Sequence, residues 1–308
     1  MHEPRALIGP FAPALSVDVE EWYHNCWAPD YVDPERRPRL PEELDALLPR
    51  LAELLSEAGA RATFFVLGEL ADRIAPRLRE LVGAGHEIAC HGWHHFRAND
   101  LKPEEFLRQI GDSKRRLEDL TGRVVLGFRS PEWSLRNPAN PRFRLVAAAG
   151  FAYDSSLVPA PLAGSRANPD RPVRFEWDDG HKLIEIPPLT WGGRLRLPAG
   201  GWCGRCASPA WILAAVRSAL RRGALPLLVV HPWELVDRPC PGLLTGFARF
   251  FHDAGRFGFR DRFRTVLAAS PWRPIADRVA VSTGATASER PIAPPQSALA
   301  WHSGAPFG

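Results

Sequence analysis

The chain of 308 residues is predicted to be an α/β protein, a distorted (β/α) barrel of about seven parallel strands. Three observations point there. Short apolar runs alternate with longer amphipathic stretches, the rhythm of βαβ units in a parallel sheet. The polar residues that stand out (Asp18 and Glu20, His91 and His95, Arg129, Asp154, His231) follow the C-terminal ends of different runs. A barrel gathers such residues at one rim. No Gly-rich phosphate loop follows the first strand, which argues against a nucleotide-binding open sheet.

The elements follow in order. Ala14-Leu15-Ser16-Val17 is an apolar strand that runs into Asp18, Glu20 and Glu21. Leu44, Leu47, Leu48, Leu51, Leu54 and Leu55 recur at helical spacing, so 41–58 is a helix, with Pro41 in its first turn and Gly59 as its stop. Residues 62–66 form a buried strand, 69–82 a second helix closed by Gly83 and Gly85, and 86–90 a third element of strand. An amphipathic helix over 103–120 ends at Gly122. Strands follow at 124–128, 151–153, 182–186 and 227–230, with helices near 142–149, 208–222 and 241–255 between them. Residues 156–172 and 192–204 read as long loops, the kind that carry function or move. Residues 1–13 are a lead-in, 14–274 the folded domain, and 275–308, turning to Pro, Ser, Ala and Gly, a disordered tail.

Composition narrows the function. The net charge is +4, and only Lys102, Lys114 and Lys182 are lysines. The arginines are scattered among acids, so no nucleic-acid partner is expected. No apolar run approaches the ~18 residues of a membrane span, and residues 1–13 lack the apolar core of a signal peptide. The expectation is a cytoplasmic protein, or one acting at the inner face of the membrane. Oligomeric state is not legible. Cys26, Cys90, Cys203, Cys206 and Cys240 are odd in number and scattered, which argues against a disulfide scaffold. Cys203-Gly-Arg-Cys206 has no matching second pair and reads as incidental.

The chemistry concentrates in two segments. His91 and His95 are spaced i, i+4, which on a helical turn places both imidazoles on one face where they can hold one metal ion; a core-satisfied cluster is the plain alternative. Asp18 and Glu20 are two apart, so on a strand they share a side. Two histidines and a carboxylate with open positions suit a catalytic divalent ion, zinc by default, with cobalt, nickel or manganese as alternatives. A second carboxylate beside them can serve as general base.

Five segments in order complete a pattern: Ser16-Val17-Asp18-Val19-Glu20, His91-Gly-Trp-His-His95, Phe128-Arg129-Ser130-Pro131-Glu132-Trp133, Tyr153-Asp154-Ser155-Ser156 and Val229-Val230-His231-Pro232-Trp233. Together they resemble the five motifs of the NodB-like polysaccharide deacetylases, carbohydrate esterase family 4, and most closely the branch encoded with bacterial exopolysaccharide genes. The resemblance implies a NodB-type barrel and metal-dependent removal of acetyl groups from an N-acetylated glycan. It implies Asp18 as base, His91 and His95 as metal ligands, Arg129 as the residue holding the base, and His231 as general acid. Two positions depart from the family pattern. Val19 stands where a second aspartate binds the metal, so Glu20, on the face of Asp18, takes that role; the reverse assignment of Asp18 and Glu20 is the alternative. Gly92 replaces a Ser or Thr. Asp154 either orients His231 or caps the turn before Ser155. A backbone N–H near Glu132 would help hold the oxyanion. Trp93, Trp133, Trp202 and Trp233 lie in or beside the motif loops, where aromatic faces stack on sugars or pack in the core. The competing functions are an amidohydrolase on a small non-sugar amide and an inactive carbohydrate-binding barrel.

Overall fold

The computed structural model describes residues 5–6, 12–24, 35, 37–40, 42–161, 163–191, 196–237, 244 and 246–278. Pro41, Pro241, Cys26, Cys240, residues 192–195 and the tail 279–308 lie outside them. One sheet organises the molecule. Its strands are β1 (Arg5–Ala6), β2 (Ala14–Val19), β3 (Thr63–Val66), β4 (Glu87–Cys90), β5 (Gly127–Phe128), β6 (Tyr153–Asp154), β7 (Val173–Glu176), β8 (Lys182–Glu185) and β9 (Leu227–Val230). They lie in the order β1-β7-β8-β6-β5-β4-β3-β2-β9. From β8 to β9 every neighbour is parallel, which gives the seven parallel strands expected from the sequence. Beyond β8 the pairing turns antiparallel, through β7 and then β1. The alternation of Val173-Arg174-Phe175-Glu176, buried on one side only, marks β7 as a strand that the sequence reading had left unassigned.

The sheet curls toward closure. Just past β8, the Leu189 N–H donates to the Leu227 carbonyl of β9 at 2.7 Å, and the Ala199 N–H donates to Leu189 at 2.8 Å. The seam is therefore bridged by a loop rather than by a strand ladder. This is the distortion of the barrel.

Strand alternation sorts the side chains. On β2, Leu15, Val17 and Val19 face the helix layer and join the large core of Phe64, Val66, Leu48, Leu51 and Leu78. Ala14 faces the interior with Phe65, Ala89, Tyr153, Leu227 and Val229. Ser16 and Asp18 fall on that same interior side, two and four residues on from Ala14. In register, Ser16 lies opposite Thr63 and Asp18 opposite Phe65.

The helices are α1 (Leu44–Glu57), α2 (Gly68–Ala71), α3 (Ala75–Gly83), α4 (Pro103–Thr121), α5 (Arg142–Ala148), α6 (Gly201–Cys206), α7 (Pro209–Arg221), α8 (Gly246–Asp253) and α9 (Phe259–Ala268). All six leucines read as the buried face of α1 are buried. The Glu21 carboxylate accepts the N–H groups of Glu43 (2.9 Å) and Leu44 (3.2 Å), so it caps α1 and ties the end of β2 to it. The single helix expected over 69–82 is two, α2 and α3. Pro76 lacks an N–H and suits only a first turn, so the helix breaks and restarts at Ala75. α6 occupies part of the expected loop 192–204, and α9 had no counterpart in the sequence reading. The domain also runs past residue 274: Ile275 is fully buried and its N–H donates to Thr63 Oγ1 at 2.8 Å.

Gly127 is required by packing. The Tyr153 ring crosses the barrel so closely that a Cβ at 127 would lie 2.1 Å from its Cζ. Gly127→Ala is expected to lower stability by about 2 kcal/mol or more, in the range of core overpacking. A urea midpoint equal to wild type would show that Tyr153 is free to move aside.

Candidate active site

Arg129 sits at the centre of the rim. It is fully buried and follows β5. Its Nη1 donates to Asp18 Oδ1 at 2.5 Å and to Ser16 Oγ at 2.9 Å. Its Nε donates to the Ser155 carbonyl (3.1 Å) and its Nη2 to Ser155 Oγ (2.9 Å), while the guanidinium lies 4.1 Å over the Phe65 ring. Burial alone would raise the Asp18 pKa. Arg129 first, then His91 and His231, outweigh it and hold Asp18 below the ordinary carboxylate range. Asp18 is thus ionised, as a base must be.

Beside this pair stands the metal-ligand cluster. Glu20, His91 and His95 offer ligand atoms that all lie within 4.8 Å of one another, the one such group among the described residues. Glu20 Oε2 is 2.7 Å from His95 Nε2 and 3.9 Å from His91 Nε2. His91 Nδ1 lies 2.9 Å from the Arg129 carbonyl, which fixes that nitrogen as the donor and leaves Nε2 as the ligand atom. Burial lowers both histidines to about 4, so each is neutral and able to coordinate. Burial also raises Glu20, against the pull of His231 and His91. A buried carboxylate whose charge is poorly compensated, facing two neutral imidazoles, fits a divalent cation. Val19, the residue in the place of the usual second aspartate, points into the helix-side core and cannot contribute.

The two histidines meet by a route other than the one expected. Residues 91–95 are not helical: Gly92 has φ +85° and His95 φ +61°, yet the rings come within 5.2 Å. A tight loop, pinned where the Gly68 N–H (2.9 Å) and Ser113 hydroxyl (3.0 Å) donate to the Gly92 carbonyl, replaces the helical turn. Glycine at 92 serves the positive φ. Behind the loop, Glu69 accepts from His24 and His94 at 3.0 Å and from Arg37, and Arg37 donates to the His94 carbonyl at 2.8 Å.

His231 faces the cluster from β9. Its Nε2 lies 3.6 Å from Glu20 Oε1 and 3.9 Å from Asp18 Oδ2. Its Nδ1 lies 3.3 Å from Glu234 Oε1. Burial pulls its pKa down, but Glu234, with Glu20 and Asp18, outweighs burial and lifts it to about 9. Trp233 stacks on its ring at 5.1 Å and donates from Nε1 to Glu20 Oε1 at 3.2 Å.

Asp18, Glu20, His91, His95, Glu132, Trp133, Trp202, His231 and Trp233 line one cavity. Three expected members are not among its lining residues: Arg129, which lies beneath Asp18, and two that lie elsewhere. Trp93 is not among its lining residues; its ring packs over Gly68, where a Cβ would sit 2.5 Å from it. Asp154 accepts the N–H (2.8 Å) and hydroxyl (3.1 Å) of Ser156, whose Oγ in turn accepts the Ser130 N–H at 2.9 Å. Asp154 thus caps the turn after β6 and, through Ser156, buttresses the 130–133 loop. Cys203 also lines the cavity, and both Cys203 and Cys206 are free thiols outside the metal-ligand cluster. The sequence reading missed Glu234 and Arg205. The signal was present: Pro232 opens a helical turn and Glu234 falls three residues after His231, the spacing of a capping box.

Residues 40–150 match the polysaccharide deacetylase family, and residues 155–280 match a domain of unknown function, DUF3473. Residues 40–150 thus carry a segment similar to the polysaccharide deacetylases, the NodB-like carbohydrate esterases of family 4. It is 30% identical over 111 residues to a peptidoglycan deacetylase of Helicobacter pylori, covering 36% of this chain and 37% of that one. It is 35% identical over 92 residues to a chitooligosaccharide deacetylase of Azorhizobium caulinodans, covering 29% and 44%. The matched segments thus span less than half the length of these relatives. A solved structure from Mycobacterium smegmatis, described as a candidate polysaccharide deacetylase, superposes with a TM-score of 0.59 at 21% identity over 95% of this chain and 98% of that one, which establishes the fold. No helix among the described residues is long and apolar enough to cross a membrane.

One buried pair makes stability depend on pH. Glu185 Oε2 is buried beside Asp154 without a hydrogen-bond partner, and burial together with the neighbouring carboxylate raises both groups. The folded state therefore keeps a proton that the unfolded chain releases near pH 4. The stability this gives is fully present below that pH and is lost as pH rises through the folded-state value. Glu185→Gln should flatten the decline in Tm between pH 5 and pH 8. A slope identical to wild type would mean the pair holds no proton.

Proposed function

We propose that this protein is a metal-dependent hydrolase that removes N-acetyl groups from a polysaccharide or oligosaccharide precursor, in bacterial exopolysaccharide or cell-envelope glycan synthesis. The observation that carries the reading is the placement of a carboxylate, Asp18, and an imidazole, His231, 3.9 Å apart and beside the Glu20–His91–His95 cluster in one cavity. The match of residues 40–150 to the polysaccharide deacetylase family and the names of the two bacterial relatives support the acetylated sugar. Trp133, Trp202 and Trp233 in the cavity supply faces for sugar rings. We take the catalytic unit to be the whole barrel, because residues from both matched segments line this cavity.

Glu20, His91 and His95 would hold the ion, with zinc the metal whose catalytic sites best match two histidines, one carboxylate and open positions. Bound there, it supplies Lewis-acid activation of water and of the acetamide carbonyl. Asp18 accepts the proton of the attacking water at the oxygen not held by Arg129. Arg129 acts as a positioning residue, fixing that carboxylate and keeping it ionised. His231 delivers a proton from Nε2 to the departing amine nitrogen, which leaves poorly as an anion. The three tryptophans position the sugar and exclude water.

Treatment with a strong chelator should abolish acetate release from N-acetylated oligosaccharides, and added zinc or cobalt should restore it. By elemental analysis, His91→Ala with His95→Ala should lose the metal, and Glu20→Gln should weaken it. Asp18→Asn should retain metal while activity falls about 10²–10⁴-fold, the usual worth of a general base. Metal lost from Asp18→Asn and kept by Glu20→Gln would exchange the two roles. Full activity without metal would refute the mechanism.

A further inference from the structure

In the reading above, His231 needs a partner that holds its ring and fixes which nitrogen carries the proton. In the sequence, Asp154 is one candidate for such a task. The structure places Asp154 on Ser156 and beside Glu185 instead. Another carboxylate stands where the partner should be. Glu234 Oε2 accepts the His231 backbone N–H at 2.9 Å, and Glu234 Oε1 lies 3.3 Å from Nδ1 of the same residue. One carboxylate thus holds the main chain of His231 by a hydrogen bond and stands at ion-pair distance from its ring Nδ1, a buried nitrogen with no hydrogen-bond partner of its own, from a turn whose first residue is Pro232.

This carboxylate is itself locked. Glu234 is fully buried and paired with Arg205, which is nearly as buried. Arg205 in turn donates from Nε to the Ala254 carbonyl (3.0 Å) and from Nη2 to the carbonyls of Phe251 (2.5 Å) and His252 (3.2 Å). Its guanidinium also lies 5.0 Å over the Trp233 ring, which stacks on His231 on one side and on His252, at 4.2 Å, on the other. Arg205 beside it keeps Glu234 ionised. The chain His231–Glu234–Arg205 therefore runs from the cavity into the body of the protein with each member held by the next.

We propose that Glu234 is the carboxylate that positions the general acid, the task the sequence offered to Asp154, with Arg205 as its anchor. The inference rests on the deacetylase reading of the cavity. In the step it serves, the proton on His231 Nε2 passes to the leaving nitrogen as the C–N bond breaks and its electron pair goes to that nitrogen. The imidazole is left neutral with its Nδ1–H on Glu234. A carboxylate at Nδ1 favours both the imidazolium before the step and this tautomer after it. Asp154, bound to the 130–133 loop, would act on the position of Arg129 and Ser130 rather than on the acid.

Two measurements test this on the metal-loaded protein. The first needs no substrate. Long-range ¹⁵N–¹H NMR of ¹⁵N-histidine protein reads the protonation of each ring nitrogen. In wild type, His231 should keep Nδ1–H when neutral, and Glu234→Gln should change the populations of the two tautomers. A bare Nδ1 in wild type, or identical spectra in the two proteins, would overturn the proposal. The second compares an N-acetylated chitooligosaccharide with an activated aryl acetate, whose leaving group needs no proton. Glu234→Gln should lower kcat on the amide about 10- to 100-fold, part of the worth of a general acid, with little change in KM. The aryl acetate should lose no more than about threefold, and Glu234→Asp should recover part of the amide activity. Equal losses on both substrates would show a structural role only. A loss confined to the amide in Asp154→Asn and missing from Glu234→Gln would return the task to Asp154. Because Gln leaves Arg205 buried without its counter-charge, Glu234→Gln with Arg205→Met serves as the second variant; removing both members of a buried pair is tolerated better than removing one. If wild type releases no acetate from any N-acetylated sugar, the proposed function fails while the NMR result still decides the place of Glu234.

Discussion

The rim of this barrel is organised around one buried ion pair, Arg129 with Asp18. A guanidinium fully out of water is costly unless nearly every donor is used. Here Asp18, Ser16, the Ser155 carbonyl and the Ser155 hydroxyl take its N–H groups, and Phe65 covers its face. Those partners come from β2, β3 and the segment after β6. The pair thus fixes three strands relative to one another, and the Arg129 carbonyl also orients His91. Removing one partner from such a pair typically costs about 3–5 kcal/mol. The same contact that holds the rim together sets the charge of the base.

The site is composite. Asp18 and Glu20 precede the segment that matches the deacetylase family, and His91, His95 and Arg129 lie within it. His231, Glu234, Arg205 and Trp202 come from the segment that matches the domain of unknown function. The parallel sheet crosses that division without a break, with β2 to β5 and β6 on one side and β8 and β9 on the other. Neither segment alone carries both Asp18 and His231. Base and acid follow neighbouring paired strands, β2 and β9, in register at Val17 and Val230, and that ladder sets the distance between them.

The two departures from the family pattern, and the place of Asp154, have local physical answers. Val19 faces the helix-side core because strand alternation puts it there, and Glu20, one residue on and one methylene longer, reaches His95. Gly92 lacks a hydroxyl but adopts a positive φ that lets His91 and His95 converge, while Ser113 supplies a hydroxyl to its carbonyl. Asp154 is drawn to the turn beyond β6, and the place at His231 Nδ1 is filled by Glu234. In each case the function expected of one position is met by a residue at another.

The sequence by itself determined the seven parallel strands, the leucine face of α1, the shared face of Asp18 and Glu20, and the five motifs at strand ends. These follow from period, alternation and local order, all of which act over a few residues. Only the tertiary structure decided the rest. The break between α2 and α3, and the loop that replaces a helical turn at 91–95, arise where proline or long-range carbonyl contacts override local propensity. Trp93 turned onto Gly68 and Arg205 anchoring Glu234 depend on which atoms lie across the fold, 25 and 29 residues away along the chain. Spacing along a chain fixes which residues can share a face; the charge partner of a buried group is fixed by whatever the fold brings beside it.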